Sequence, residues 1–366
     1  MISIKILMEN LIFKIKMFAI RNENKLSIGA LVFGFIVDNL TLRRSDLLAE
    51  NLVLLAYILI AGTGIIIQNR SFEKDPERKK HHTPSMLLMQ FAFGGLWSAF
   101  LIFYTRSATL EVSWPFILLM LLALLGNEVW KKHYLRLPFQ IGGLFLAIYA
   151  MSIFLVPIFI KSIGGLSFIL SGILAVIIIL GVLKILKYFA PLVFEKSRRK
   201  TYITIGIVAL LLNIFYVLNI IPPLPLVLKD AGAYHNLTRT SQNVYTMYED
   251  KERWYQFFMR PTLKLLPGEN AYVFSSIYSP QDLNIPVVHH WQYFDYKEAK
   301  WISSSKIDVP IFGGRETGYK MYSFKNSVFP GLWRVDIETL RGQTIGRVKF
   351  NIKRVEGRGE LITVVK

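Results

Sequence analysis

The chain has 366 residues, no Cys, and a formal charge of +18 from 43 Lys and Arg against 25 Asp and Glu, with 53% of its residues apolar. This composition excludes a disulfide scaffold, a thiolate metal site, a cysteine nucleophile and a disordered tail protein. Almost every long uncharged run falls before residue 222, so the first part reads as membrane and the remainder as a soluble domain.

Residues 1–25 form a basic segment in which Ile, Leu and Phe mix with Lys5, Lys14 and Lys16. No uninterrupted apolar run leads to a small-residue cleavage site there. The segment therefore reads as an interfacial helix with its lysines toward anionic lipid, or as a disordered basic tail, and not as a signal peptide. Between residues 26 and 221, stretches near the ~20 residues that cross a bilayer recur. They fall at about Leu26–Leu42, Leu47–Gln68, Met86–Tyr104, Trp114–Leu125, Phe139–Ile160, Leu166–Leu183 and Tyr202–Ile221. This gives about seven spans, or six if Asp38 disqualifies the first. Trp114 and Trp130 frame the short fourth stretch as an interfacial aromatic pair.

With seven spans and an inside N-terminus, the inside segments carry nineteen Lys and Arg, and the three short outside loops only Arg43, Arg44, Arg106 and Lys161. Short cytoplasmic loops retain positive charge, so this asymmetry predicts an odd span count and an extracytoplasmic C-terminal domain. Much of the net charge is then a topology signal. The expected surroundings are the lipid bilayer, and no nucleic-acid partner is expected. His81 and His82, in the charged loop before the third stretch, read as solvated.

Two polar groups lie near predicted membrane boundaries. On the outer side, Asp38, Arg43, Arg44, Asp46 and Glu50 surround the first turnaround, and Arg106, Ser107, Glu111 and Ser113 the second. On the inner side, Asn127 and Glu128 stand before Lys131 and Lys132 at helical pair spacing. Charges at such depths either pair with one another and fix helix packing or serve a pathway.

Pro222, Pro223 and Pro225 cannot continue a helix and predict a stiff extended exit. Residues 222–260 read as this exit and a connecting helix around Tyr245–Phe258. Over residues 261–366 the pattern changes to short β-type runs separated by Gly, Pro, Asn and Asp, predicting an all-β, immunoglobulin-like antiparallel sandwich. Strands are expected near Leu263–Leu266, Ala271–Ile277, Val287–Tyr293, Ala299–Asp308, Tyr319–Phe324, Gly331–Glu338, Ile345–Lys353 and Leu361–Val365. In the clearest pair, Trp333, Val335 and Ile337 alternate with Arg334, Asp336 and Glu338, then Val348, Phe350 and Ile352 with Arg347, Lys349 and Asn351. That is a hairpin with one buried face.

Alternation puts His289 and Trp291 on one strand face and His290 on the other, so the histidine pair does not chelate a metal from a regular strand, and no metal or cofactor is expected. Trp291 and Trp333 read as core, or as stacking surfaces for a glycan if exposed. Gly313–Tyr319 lacks the Lys-Ser/Thr ending of a phosphate loop and reads as a β-turn with Arg315 at its tip, able to meet an anionic polymer, with Tyr319 beside it. No nucleophile elbow, metalloprotease helix or Ser/His/Asp constellation is found.

Several strings resemble a family of uncharacterised bacterial polytopic inner-membrane proteins that carry a C-terminal β-rich domain of unknown function. They are Gly34-Phe35 with Asp38 to Leu42, Phe103 to Ser107, Gly126-Asn127-Glu128, Ile221 to Leu226, and Gly331 to Val335 with Gly342-Gln343, Gly346-Arg347 and Phe350. The resemblance implies an inner-membrane envelope protein with a multi-span anchor, and brings no activity.

The leading functional expectation is a non-enzymatic inner-membrane protein whose extracytoplasmic sandwich binds an envelope polymer or a periplasmic partner protein, through Trp291, His289, Arg315, Tyr319 and Trp333. The alternative is a membrane enzyme or handler of a lipid-linked or phosphate-bearing substrate, with Asp38, Glu50, Arg106 and Glu111 at the outer boundary.

Overall fold

The computed structural model describes residues 23–75, 84–240, 244–250, 260–280, 283, 285–311, 318–357 and 359–366. Among them, seven α-helices precede eleven β-strands: α1 (Glu23–Thr41), α2 (Leu48–Lys74), α3 (Pro84–Arg106), α4 (Leu110–Val129), α5 (Leu137–Ile160), α6 (Gly165–Phe189) and α7 (Pro191–Val217) come first. The six helices α2 to α7 are long and apolar enough to cross a membrane, which marks a multi-pass membrane protein. In α1, Lys25, Asp38 and Asn39 interrupt the apolar run, and only Leu31–Thr41 counts as a shorter apolar helix.

The chain divides into two compact units. The first takes in Met1–Ile102, Leu119–Met151 and Ala175–Val208. Amides tie its helices together, as they must where no water can satisfy them. Asn69 Nδ2 donates to Gln140 Oε1 at 2.7 Å, Gln68 Nε2 to the Tyr134 carbonyl at 3.2 Å, and Asn127 Nδ2 to the Gln90 carbonyl at 3.0 Å. Glu73 accepts from the Leu192 and Val193 amides at 3.0 and 3.2 Å, so a carboxylate on α2 satisfies the open N–H groups at the start of α7.

The second unit holds Phe103–Leu118, Ser152–Leu174 and Ala209–Lys366, that is, several helix ends and the β-rich region. Its strands are β1 (Val227–Tyr234), β2 (Asn236–Arg239), β3 (Tyr245–Asp250), β4 (Thr262–Leu265), β5 (Ala271–Tyr278), β6 (Ile285–Asp295), β7 (Lys300–Ile311), β8 (Tyr319–Lys325), β9 (Gly331–Thr339), β10 (Thr344–Arg354) and β11 (Leu361–Val365). They form three sheets, ordered β1-β5-β8, β4-β10-β9-β6-β7 and β11-β3-β2. Among the described strands, only β4 and β10 pair in parallel.

One core draws on the first two sheets, with Trp291, Trp333 and Phe350 fully buried beside Val273, Ile277 and Met321. Trp291 meets Trp333 and Phe350 edge-on, with ring centroids 6.4 and 6.1 Å apart, the arrangement that aromatic quadrupoles favour. A buried polar strut crosses the same core. His289 on β6 lies 2.8 Å from Ser275 on β5 and 2.8 Å from Ser323 on β8, and Trp291 Nε1 donates to Ser323 at 3.0 Å.

The eight strands expected after residue 261 are all present, each within a few residues of its expected position. The connecting helix is not. Tyr245–Asp250 is strand β3, with Tyr245 and Met247 buried and Thr246 and Tyr248 less so, a period of two that the run of charges after Tyr248 obscures in the sequence. The rest of that expected helix lies outside the described residues, as do residues 1–22 and His81 and His82. The β-rich region accordingly begins at Val227, and the proline segment is no free rod: Ile221, Leu224 and Leu226 are buried in it.

Candidate functional site

The second face of the five-stranded sheet gathers a dense set of polar side chains. Alternation sends His289, Trp291, Trp333, Val335, Val348 and Phe350 into the core and leaves His290, Gln292, Arg334, Asp336, Arg347 and Lys349 on the opposite face. The register sets Lys306, His290, Asp336 and Arg347 in one row across β7, β6, β9 and β10, and Ser303, Gln292, Arg334 and Lys349 in the next. Oppositely charged neighbours across strands stabilise such rows.

Asp336 is the hub. Arg347 grips it with both arms, Nε to Oδ1 at 2.6 Å and Nη2 to Oδ2 at 2.8 Å, while Gln292 Nε2 donates to Oδ2 at 3.3 Å. The Gln292 oxygen in turn accepts from Arg334 at 2.6 and 3.0 Å, and the Arg334 guanidinium lies 4.3 Å from the centroid of the Trp301 ring. Farther along, His290 Nδ1 lies 3.1 Å from Glu338 and its Nε2 lies 2.8 Å from Ser303 Oγ.

At its other end the network reaches a helix. Glu111, in the first turn of α4, accepts from Arg347 Nη1 at 2.7 Å and from Lys349 Nζ at 2.7 and 2.8 Å. Burial works against the charge on Arg347, but the Asp336 and Glu111 carboxylates outweigh it and hold the guanidinium's pKa above the ordinary arginine value. Burial pulls Arg334 the other way, below that value. The Arg347 side chain is 12% exposed and that of Glu111 50% exposed, so the cations are built in and the carboxylate seated on them is the accessible partner.

A second contact fixes the same sheet. In the β9–β10 turn, Gly342 has φ of +88°, a conformation that L side chains rarely adopt, and Arg341 projects onto Tyr216 at the end of α7, 3.7 Å from the ring centroid. Tyr216 stacks on Phe168 of α6 at 3.7 Å, and Gln343 Nε2 donates to the Ile221 carbonyl at 3.3 Å.

The residues singled out in the sequence separate into distinct places. Trp291, Trp333 and His289 have no exposed surface and cannot stack on or touch a ligand; they are packing and strut. Tyr319 is half-buried against the core, and Arg315 lies outside the described residues. Around the first turnaround, Arg44 pairs with Asp46 at 3.5 Å, and the Arg43 amide donates to Glu50 at 3.4 Å. Arg106 ends α3 and falls in the second unit. Asp38, Asn127 and Glu128, which the sequence distributes between two sides, line one cavity of about 380 Å³ among the helices of the first unit. The alternation that defines the hairpin sets Arg334, Asp336, Arg347 and Lys349 on one outward face, but only the cross-strand register and the contact with Glu111 make them a site.

Residues 285–352, which run from the start of β6 into β10 and include every sheet residue of this network, match the model of a family described as a protein of unknown function, DUF2914. No curated protein matches the chain. A solved structure, the Pseudomonas fluorescens alkylpurine DNA glycosylase AlkC bound to DNA containing an abasic site analog, is similar at 11% identity over 75% of this chain and 82% of that one. Its TM-score of 0.21 is too low to inform the fold or the function.

Proposed function

We propose that the chain is a seven-span protein of the bacterial inner membrane, with its N-terminus in the cytoplasm and its C-terminal β-rich region outside, where two facing sheets form a sandwich of immunoglobulin-like kind. In this reading, α1 supplies the seventh span. Its 19 residues would cover about 28 Å at ~1.5 Å per residue, close to the thickness of the hydrocarbon core. The Lys and Arg asymmetry supports the orientation. The β-rich region would bind an anionic envelope component or an acidic partner protein, with no catalytic step.

The observation that carries this reading is the Glu111 seat. A half-exposed carboxylate occupies two built-in cations, so Glu111 acts as an internal stand-in for an external carboxylate or phosphate. An incoming anion would take Arg347 Nη1 and Lys349 Nζ while Asp336 keeps Arg347 aligned. Releasing Glu111 would report occupancy to α4.

The test uses the full chain in zwitterionic nanodiscs with polyphosphate and polyglutamate as probes. Glu111→Gln should tighten retention of at least one probe, and Lys349→Gln should weaken it. Retention of neither, or retention indifferent to both substitutions, would overturn the reading. A second reading, a handler of a lipid-linked phosphate, draws on the position of the same seat in the first turn of a spanning helix, where head groups lie. It predicts that phospholipid head groups compete with polyphosphate.

A further inference from the structure

The cavity among the helices of the first unit shares no lining residue with the sheet network and has its own chemistry. It is about 380 Å³, the size of a small-molecule site and far larger than a bare ion needs. Three helices each turn one stripe toward it. Leu31, Gly34, Phe35 and Asp38 lie on one face of α1 at helical spacing; on α3 and α4 the same spacing selects Gln90, Gly94 and Ser98, then Leu124, Asn127 and Glu128. Glycine keeps the space open, since a Cβ on Gly34 would meet nothing within 4 Å.

The lining combines two carboxylates, Asp38 and Glu128, with aromatic walls, and includes no Lys or Arg among the described residues. Tyr57 and Phe91 meet edge to face with centroids 5.8 Å apart, and Phe35 adds a third ring. Ser98, 3% exposed, turns its buried hydroxyl to the Asp38 carboxylate, so the two form one polar end of the cavity beside the aromatic walls.

We propose that this cavity binds a small organic ammonium cation. Carboxylates supply the counter-charge, and ring faces attract a diffuse cation. A bare divalent metal fits poorly, because hard cations take six to eight oxygen ligands and the described residues contain no group of three or more His, Asp or Glu placed to hold one. A polyamine head, a quaternary ammonium or a protonated primary amine shares the required chemistry.

The experiment is calorimetric titration of the full chain in neutral detergent with tetraethylammonium chloride, and with magnesium chloride as the inorganic comparison. Tetraethylammonium should bind saturably, and Asp38→Asn or Glu128→Gln should weaken it by about tenfold or more, the usual size of a lost charged contact. Gly34→Leu projects a side chain into the open space and replaces a helix-interior glycine with a strong helix former, so it should abolish binding while α1 stays helical. Saturable binding that Gly34→Leu removes supports the site even if Asp38→Asn fails to fold. No saturable heat with tetraethylammonium up to about 10 mM, equal or stronger binding of magnesium, or binding that survives Gly34→Leu would each overturn it.

Discussion

The two faces of the five-stranded sheet start from nearly the same sequence material and end in opposite physical states. His289 and His290 are neighbours on β6. The first is sealed in the core between Ser275 and Ser323; the second lies on the polar face beside Glu338 and Ser303. On the core face, area removed from water and close packing dominate. On the other, side chains nearly as buried, such as Asp336 at 4% exposure, are held by reciprocal ion pairs and hydrogen bonds. Burial on this sheet thus has two sources, which fail differently when a single side chain is removed.

The largest expected effect breaks the apolar face. Trp291→Ala should destabilise the β-rich region by about 4 kcal/mol, because the cavity it leaves between Trp333 and Phe350 cannot collapse. The thermal midpoint of the full chain, followed by near-ultraviolet dichroism, measures this. On the polar face, Arg347→Ala should cost about 3 kcal/mol by stranding the Asp336 carboxylate. The double variant Arg347→Leu with Asp336→Leu should recover most of that loss in the same melt. If the double variant is worse than the single, the ion pair stabilises the fold outright, and the two faces differ less in how they hold the sheet.

Acid sharpens the contrast. Burial pushes His289 down from the ordinary 6.5 to about 4. The unfolded chain therefore binds a proton in a range where the folded one does not, so stability is full above pH 6.5 and declines as pH falls toward 4. The loss should be about 2 kcal/mol at pH 5. His289→Gln should flatten the melting midpoint between pH 7 and 5. The smallest effect belongs to Glu111→Gln, below about 1 kcal/mol because the carboxylate is half exposed. Its signature is anion retention, not stability.

Much of this architecture was legible in the sequence. Uncharged runs of bilayer length gave the spanning helices, because lipid leaves few alternatives to a long apolar helix. Strict alternation in Gly331–Glu338 and Ile345–Lys353 gave the hairpin and told which side chains face inward. Strand β3 was hidden because charges after Tyr248 imitate a helix's polar face. In α1, Asp38 looked like a boundary charge, since only its spacing from Leu31 and Phe35 ties it to a stripe.

By itself, the sequence determined the order of the spanning helices and of the eight strands after residue 261, and the inward or outward sense of the β9 and β10 residues, since these follow from local period and length. Tertiary structure alone decided which outward residues meet. Arg347 and Glu111 are 236 positions apart, and their 2.7 Å contact exists only because β9 and β10 pair Asp336 with Arg347 and the sheet sits on the first turn of α4. The same holds for Ser98 and Asp38, on helices far apart in the chain. Local pattern fixes direction, but register and helix packing fix distance, and charge chemistry depends on distance.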